Sequence, residues 1–148
     1  MEGWRPGVRH ARPRRVVIHT AVGPEACEHH RVPTTVLIVD DHPGFRAIAR
    51  AVLADGGYAV VGEAEDAQSA LAAARDIRPD CVLLDVQLGE DDGFAVAEAL
   101  AGGRDGPAVV LTSGRDPHDL EPMIRASAAR GFIAKESLSP SALGAFLR

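Results

Sequence analysis

Five short apolar runs punctuate the chain from residue 34 onward. Each is followed by a stretch in which apolar residues recur every three or four positions. Val36-Leu37-Ile38-Val39 is the first run and stops at Asp40-Asp41. Pro43 suits a first helical turn, and Phe45, Ile48, Ala49, Val52 and Leu53 then keep helical spacing until Gly56-Gly57. Residues 58–61 read as a second strand, and Asp66 as the N-cap of an Ala-rich helix through Ala67, Leu71 and Ala74. Pro79 breaks the chain before Cys81-Val82-Leu83-Leu84, which ends at Asp85. A loop over residues 86–92 leads into a helix from Gly93 to about Leu100. Residues 108–111 form the fourth run, followed by Thr112-Ser113-Gly114 and a helix through Leu120, Ile124 and Ala128. Gly131-Phe132-Ile133-Ala134 is the fifth, closed by Lys135, and a last helix starts near Pro140 with Leu143, Phe146 and Leu147.

Strands this continuously apolar belong in the middle of a parallel sheet with helices on both faces, so the pattern predicts an α/β, doubly wound architecture. Composition agrees: apolar residues make up 46% of the 148, aromatics only 4%, so the core is built from Ala, Val, Leu and Ile. Residues 1–33 break the pattern. They are rich in Arg, His, Pro and Gly and read as a flexible N-terminal extension, with residues 34–148 as the folded domain. Charge divides the same way. The extension carries six Arg against three acidic groups (+3), the remainder ten basic against eighteen acidic (−8). An acidic body argues against direct nucleic-acid binding by this domain. Two cysteines make no disulfide framework, and no apolar stretch is long enough to span a membrane. Without an h-region the N-terminus does not read as a secretory signal, so the expected compartment is the cytoplasm.

In an open α/β sheet, ligands bind beyond the carboxyl ends of the strands, where strand order reverses. The polar residues of this chain stand at those ends: Asp40-Asp41, Asp85, Thr112 and Lys135. If the first and third strands flank the switch point, three carboxylates converge, and like charges at close range oppose ionisation unless a cation is present. A hard dication such as Mg²⁺ accepts carboxylates plus waters. One carboxylate can then attack a phosphoryl group while the metal and Lys135 hold its oxygens, since phosphoryl transfer needs little beyond positioning and charge neutralisation. Lys135 also stands out by composition: of sixteen basic side chains, fifteen are Arg and one is Lys. A compact ammonium is not interchangeable with a planar guanidinium.

The segments VLIVDDHP, VLLDVQLGEDDGF, VVLTS and GFIAKES together resemble response-regulator receiver domains, over residues 34 to 148. The resemblance implies a flavodoxin-like five-stranded sheet of order 2-1-3-4-5. It implies Asp85 as phosphoacceptor, Asp41 with Asp40 on Mg²⁺, and the backbone carbonyl of Gln87 as a further metal ligand. Thr112 and Lys135 would be the switch hydroxyl and the site lysine, and Phe132 the switch aromatic. A sensor histidine kinase or phosphotransfer protein would supply the phosphoryl group, a downstream protein target would read it, and phosphorylation can make homodimers. Such a protein is a switch, with only self-phosphorylation and autodephosphorylation chemistry. Two positions depart from the family pattern: Gly89 and Glu136 stand where many members have Pro.

Other readings compete. Asp residues at strand ends are often caps, and Phe132 reads equally as a core aromatic. His19, Cys27, His29 and His30 match no standard zinc spacing. Because the chain stops at the fifth helix, a stand-alone receiver is expected; the rivals are a transcription regulator lacking its DNA-binding domain, or a phosphorylation-independent dimerisation module. A phosphohydrolase with an aspartyl nucleophile would place a second Asp two residues on, where Gln87 stands.

Overall fold

The computed structural model describes residues 32–147. The expectations for the N-terminal extension, including His19, Cys27, His29 and His30, fall outside them. The chain forms β1 (Thr35–Val39), α1 (Pro43–Asp55), β2 (Ala59–Ala64), α2 (Ala67–Ile77), β3 (Cys81–Asp85), α3 (Gly93–Ala101), β4 (Ala108–Ser113), α4 (Pro117–Ala126), β5 (Gly131–Ala134) and α5 (Pro140–Gly144). In this numbering the sheet runs β2-β1-β3-β4-β5, with every neighbouring pair parallel. This is the order the family resemblance implies.

Alternation along the strands builds two cores. Leu37, Val39, Val82, Leu84, Val109 and Leu111 face α2, α3 and α4, while Val36, Ile38, Cys81, Leu83, Val110 and Ile133 face α1 and α5. All five residues of β3 are buried, as a central strand covered on both faces requires. Each fully buried Leu, Ile or Val contributes about 1.5–3 kcal/mol. Register at the start of β1 and β3 is pinned by a reciprocal clasp. Thr35 N–H and Oγ1 donate to Asp80 Oδ2 at 2.9 and 3.1 Å, and Asp80 N–H donates to Thr35 Oγ1 at 2.8 Å. The clasp fixes Val36 opposite Cys81, and therefore Val39 opposite Leu84.

Several boundaries differ from the sequence reading. β4 runs on to Ser113 through its pairing with β5, and α5 ends at Gly144, before Phe146 and Leu147, because the chain tightens there, with Phe146 N–H donating to the Leu143 carbonyl at 3.0 Å. β2 continues to Ala64, because it pairs with β1 along its whole length across an irregularity that leaves Val61 unpaired. α4 ends at Ala126, before Ala128: Ser127 turns extended and its Oγ donates to the Ile124 carbonyl at 2.7 Å. Within the loop after Asp85, Gln87–Leu88 pairs antiparallel with Asp91–Asp92, and Gly89 turns between them at φ +60°. Asp66 caps α2 as its sequence predicts, in a capping box with Ser69.

Candidate functional site

The strands deliver their last residues to one edge of the sheet. β1 ends at Val39, so Asp40 and Asp41 begin the next loop, with Asp40 wholly buried. Asp40 N–H donates to the Ala64 carbonyl, continuing the sheet for one residue. Its carboxylate accepts the His42 N–H at 2.8 Å and so shapes the turn into α1, whose Pro43 occupies the first helical turn. Asp85 closes β3 directly opposite Thr112 of β4. The backbone carrying it is held from below by α3: Gly93 N–H donates to the Val86 carbonyl at 2.8 Å. A side chain at residue 93 would collide with that backbone, its Cβ standing 2.6 Å from Val86 Cα.

Lys135, at the end of β5, reaches across this edge. Its Nζ lies 2.7 Å from Asp40 Oδ2 and donates to Asp85 Oδ2 at 3.2 Å. The same ammonium sits 4.6 Å from the centre of the Phe45 ring of α1, a cation–π distance. One cation thus bridges two buried carboxylates. Burial works to lower the Lys135 pKa, but hydrogen bonding and attraction to Asp40 and Asp85 outweigh it, and the net shift is upward. The Asp85 carboxyl is pushed up, first by burial and then by the Asp40 charge, against the Gln87 N–H bond and Lys135. Both shifts describe one cluster with more negative charge than its single lysine neutralises.

Asp40, Asp41, His42 and Asp85 each offer a ligand atom, and these atoms lie within 4.8 Å of one another. A crevice of about 390 Å³ opens here between Asp85, Gln87 and Gly89 on one side and Ser113 to Arg115 on the other. A larger cavity of about 790 Å³, by Arg75, Arg78 and Asp80, lies at the opposite edge of the sheet, away from these carboxylates.

Of the residues singled out from sequence, Asp40, Asp41, Asp85 and Lys135 come together directly. Gln87 lines the crevice and gives its N–H to Asp85 Oδ1 at 3.2 Å. Thr112 is fully buried beside Asp85 in the sheet, and its hydroxyl has no hydrogen-bond partner, an unusual cost for a buried polar group. Phe132 stands apart from the carboxylates, half-buried against the core that faces α2, α3 and α4. Sequence reasoning missed His42, whose Nδ1 is 3.1 Å from both Asp40 Oδ1 and Asp41 Oδ1, and Ser113 and Arg115, which line the crevice. The DDHP tetrapeptide was the available signal for His42; nothing in the local pattern marks the other two.

The donor set fits a small hard cation. Three carboxylates converge, two of them buried, and burial of so much negative charge calls for a second positive centre besides Lys135. Gly89 lines the same crevice, and its φ of +60° is the backbone feature that favours glycine there.

Comparison with known proteins places this geometry in a family. The family model of the response regulator receiver domain matches residues 36–147. The transcriptional regulatory protein PdtaR of Mycobacterium tuberculosis is 35% identical over 113 residues, covering 76% of this chain and 55% of the relative. The signal receiver domain of NarL from Mycobacterium tuberculosis superposes with a TM-score of 0.66 at 32% identity, covering 77% of this chain and 96% of that one. The chemotaxis response regulator CheY4 of Vibrio cholerae gives 0.68 at 25% identity, over 78% of this chain and 100% of its own. The chain spans about half the length of the curated relatives it matches. With strand order, strand-end carboxylates and sequence match in agreement, this chain belongs to the response regulator receiver domains of two-component systems.

Proposed function

We propose that this domain is a phosphorylation switch in which Asp85 accepts a phosphoryl group. The observation that carries the reading is the single ammonium of Lys135 bridging Asp40 and Asp85 at the mouth of a crevice. An Asp85 carboxylate oxygen attacks phosphorus, the bond from phosphorus to the donor's nitrogen or oxygen breaks, and the donor leaves with that electron pair. Asp40, Asp41, Asp85 and the backbone carbonyl of Gln87 would hold Mg²⁺, which when bound would neutralise charge on the phosphoryl oxygens. Lys135 moves its hydrogen bond from the carboxylate to a phosphoryl oxygen. Thr112, whose hydroxyl lacks a partner before the reaction, gains one afterwards, which gives the phosphorylated state a bond the resting state lacks. Phe132, on β5 beside Leu111, repacks as Thr112 moves.

The donor is a sensor histidine kinase or phosphotransfer protein, and the output is a surface read by a protein target. PdtaR is named a transcriptional regulatory protein and is longer than this match, which favours a transcriptional output for a chain of this kind. No helix of the described residues is long and apolar enough to cross a membrane. The test is intact-mass spectrometry after incubation with acetyl phosphate, with and without Mg²⁺, beside Asp85→Asn. One added phosphoryl group, dependent on Mg²⁺ and absent from the variant, is the expected result. No gain in a folded protein overturns the reading and leaves a constitutive binding module.

A further inference from the structure

The carboxylate cluster is not purely an oxygen site. His42 follows Asp41 directly, and its imidazole Nδ1 stands 3.1 Å from one oxygen of Asp40 and 3.1 Å from one of Asp41. Its ring lines the same crevice as Asp85 and Lys135. Two features hold it there. Its own N–H is bound to Asp40 Oδ1 at 2.8 Å, and Pro43 restricts the backbone of the residue before it. The side chain is nonetheless 69% exposed, so the ring can turn from donating to the carboxylates to offering its lone pair without disturbing the core. Among the described residues, this is the place where an imidazole and three carboxylates bring ligand atoms within 4.8 Å. Magnesium uses oxygen ligands and gains nothing from such a nitrogen, whereas zinc, cobalt and nickel accept imidazole readily.

We propose that His42 is a nitrogen ligand of this site and biases the crevice toward first-row transition dications over Mg²⁺. The inference rests on the metal-site reading given above and adds to it a choice of metal. Its consequence is a receiver whose cation occupancy depends on which dications are available, with Mg²⁺ holding the site only where the softer ions are scarce.

The experiment uses the full ¹⁵N-labelled chain, with His42→Ala and His42→Gln beside the parent. Zn²⁺ is titrated at fixed Mg²⁺ and Mg²⁺ alone in a separate series. Amide shifts of Gly89 and Lys135 report occupancy of this crevice, so ions bound by other histidines do not enter the readout. Long-range correlation spectra of the imidazole nitrogens, with the variants supplying the assignment, report whether His42 itself is coordinated. Both variants are expected to lose at least tenfold in Zn²⁺ affinity at the crevice, the loss typical of disturbing even a ligand's outer partners. Mg²⁺ affinity should change less than twofold, and the His42 ring nitrogen should shift only with Zn²⁺. Equal losses for both ions, or an unchanged Zn²⁺ affinity in the variants, overturns the inference and leaves the oxygen site intact. Failure of the crevice to bind either ion overturns the metal-site reading itself.

Discussion

Gly93 is the tightest joint between the scaffold and Asp85, the proposed phosphoacceptor. It opens α3 directly beneath the backbone of Asp85 and Val86, and a Cβ added there would lie 2.6 Å from Val86 Cα and 2.7 Å from Val86 C. Carbon atoms in contact prefer about 3.5–4.0 Å, so Gly93→Ala forces helix and strand end apart by about 1 Å. The obstacle is backbone on both sides, and no rotamer change relieves it. Overpacking of this kind costs about 1–3 kcal/mol, and rigid neighbours put the variant near 3 kcal/mol. For a domain this size, with about 4 °C of Tm per kcal/mol, Tm should fall by about 12 °C. The added Cβ would also press on the Asp85 carbonyl oxygen, so on the proposed reading Mg²⁺-dependent phosphorylation by acetyl phosphate should slow even in the fraction that stays folded. Gly103→Ala, where an added Cβ meets nothing within 4 Å, is the control and should stay within about 0.5 kcal/mol of the parent. Thermal and urea denaturation, followed by intact-mass kinetics at a temperature where both variants are folded, supply the numbers. A Gly93→Ala protein as stable and as reactive as Gly103→Ala would refute the claim that close packing of α3 fixes Asp85.

Lys135→Met leaves Asp40 and Asp85 without their shared cation; with the lysine side chain 19% exposed, the loss sits at the lower end for buried pairs, about 3 kcal/mol by urea denaturation in EDTA. Added Mg²⁺ should raise the Tm of that variant more than that of the parent, since the ion no longer competes with the ammonium; an equal rise would contradict the shared-cation geometry. Burial raises the Asp85 pKa in the folded state, so the folded protein binds more protons than the unfolded one between the ordinary carboxylate range and that raised value. Stability in EDTA should therefore fall as pH climbs through this window, and Asp85→Asn should flatten the fall; a profile unchanged by the substitution would exclude Asp85 as its source. Glu63 behaves oppositely: its bond to Arg50 holds its pKa down against burial, with Arg46 assisting, so its contribution is present above the ordinary Glu range and disappears as pH falls through the lowered value. Glu63→Gln should cost no more than about 1 kcal/mol at neutral pH and nothing in acid, because the pair is partly exposed.

The sheet was readable because its physics is local in sequence. A run such as Cys81 to Leu84, apolar at every position, only four residues long and bounded by Pro79 and Asp85, reads as a strand buried on both faces. Boundaries were less readable where tertiary pairing decided them. β2 gains Gly62, Glu63 and Ala64 through β1, and Gly62 fits because α2 passes so near that an added Cβ would lie 3.0 Å from Ile77 Cδ1. The carboxylates and Lys135 could be placed at strand ends without coordinates, since each follows an apolar run. Their arrangement could not. That one lysine serves both Asp40 and Asp85 while resting on Phe45 depends on the reach of a flexible side chain across three strands. Ser113 and Arg115 escaped notice because a crevice wall is set by how β4 ends, which no periodicity records.

Cys81 opens the same strand that Asp85 closes. Its thiol is wholly buried, and burial pushes its pKa up to about 12. At neutral pH on the order of one molecule in a hundred thousand carries the thiolate, so alkylation in the native fold is negligible and proceeds through opened molecules. The strand therefore holds a silent clock at one end and the proposed phosphorylation site at the other. Site-resolved labelling of Cys81 counts how often the centre of the sheet comes apart, and comparing that count with and without a phosphoryl group on Asp85 measures how much of the signal is spent on holding the whole domain together.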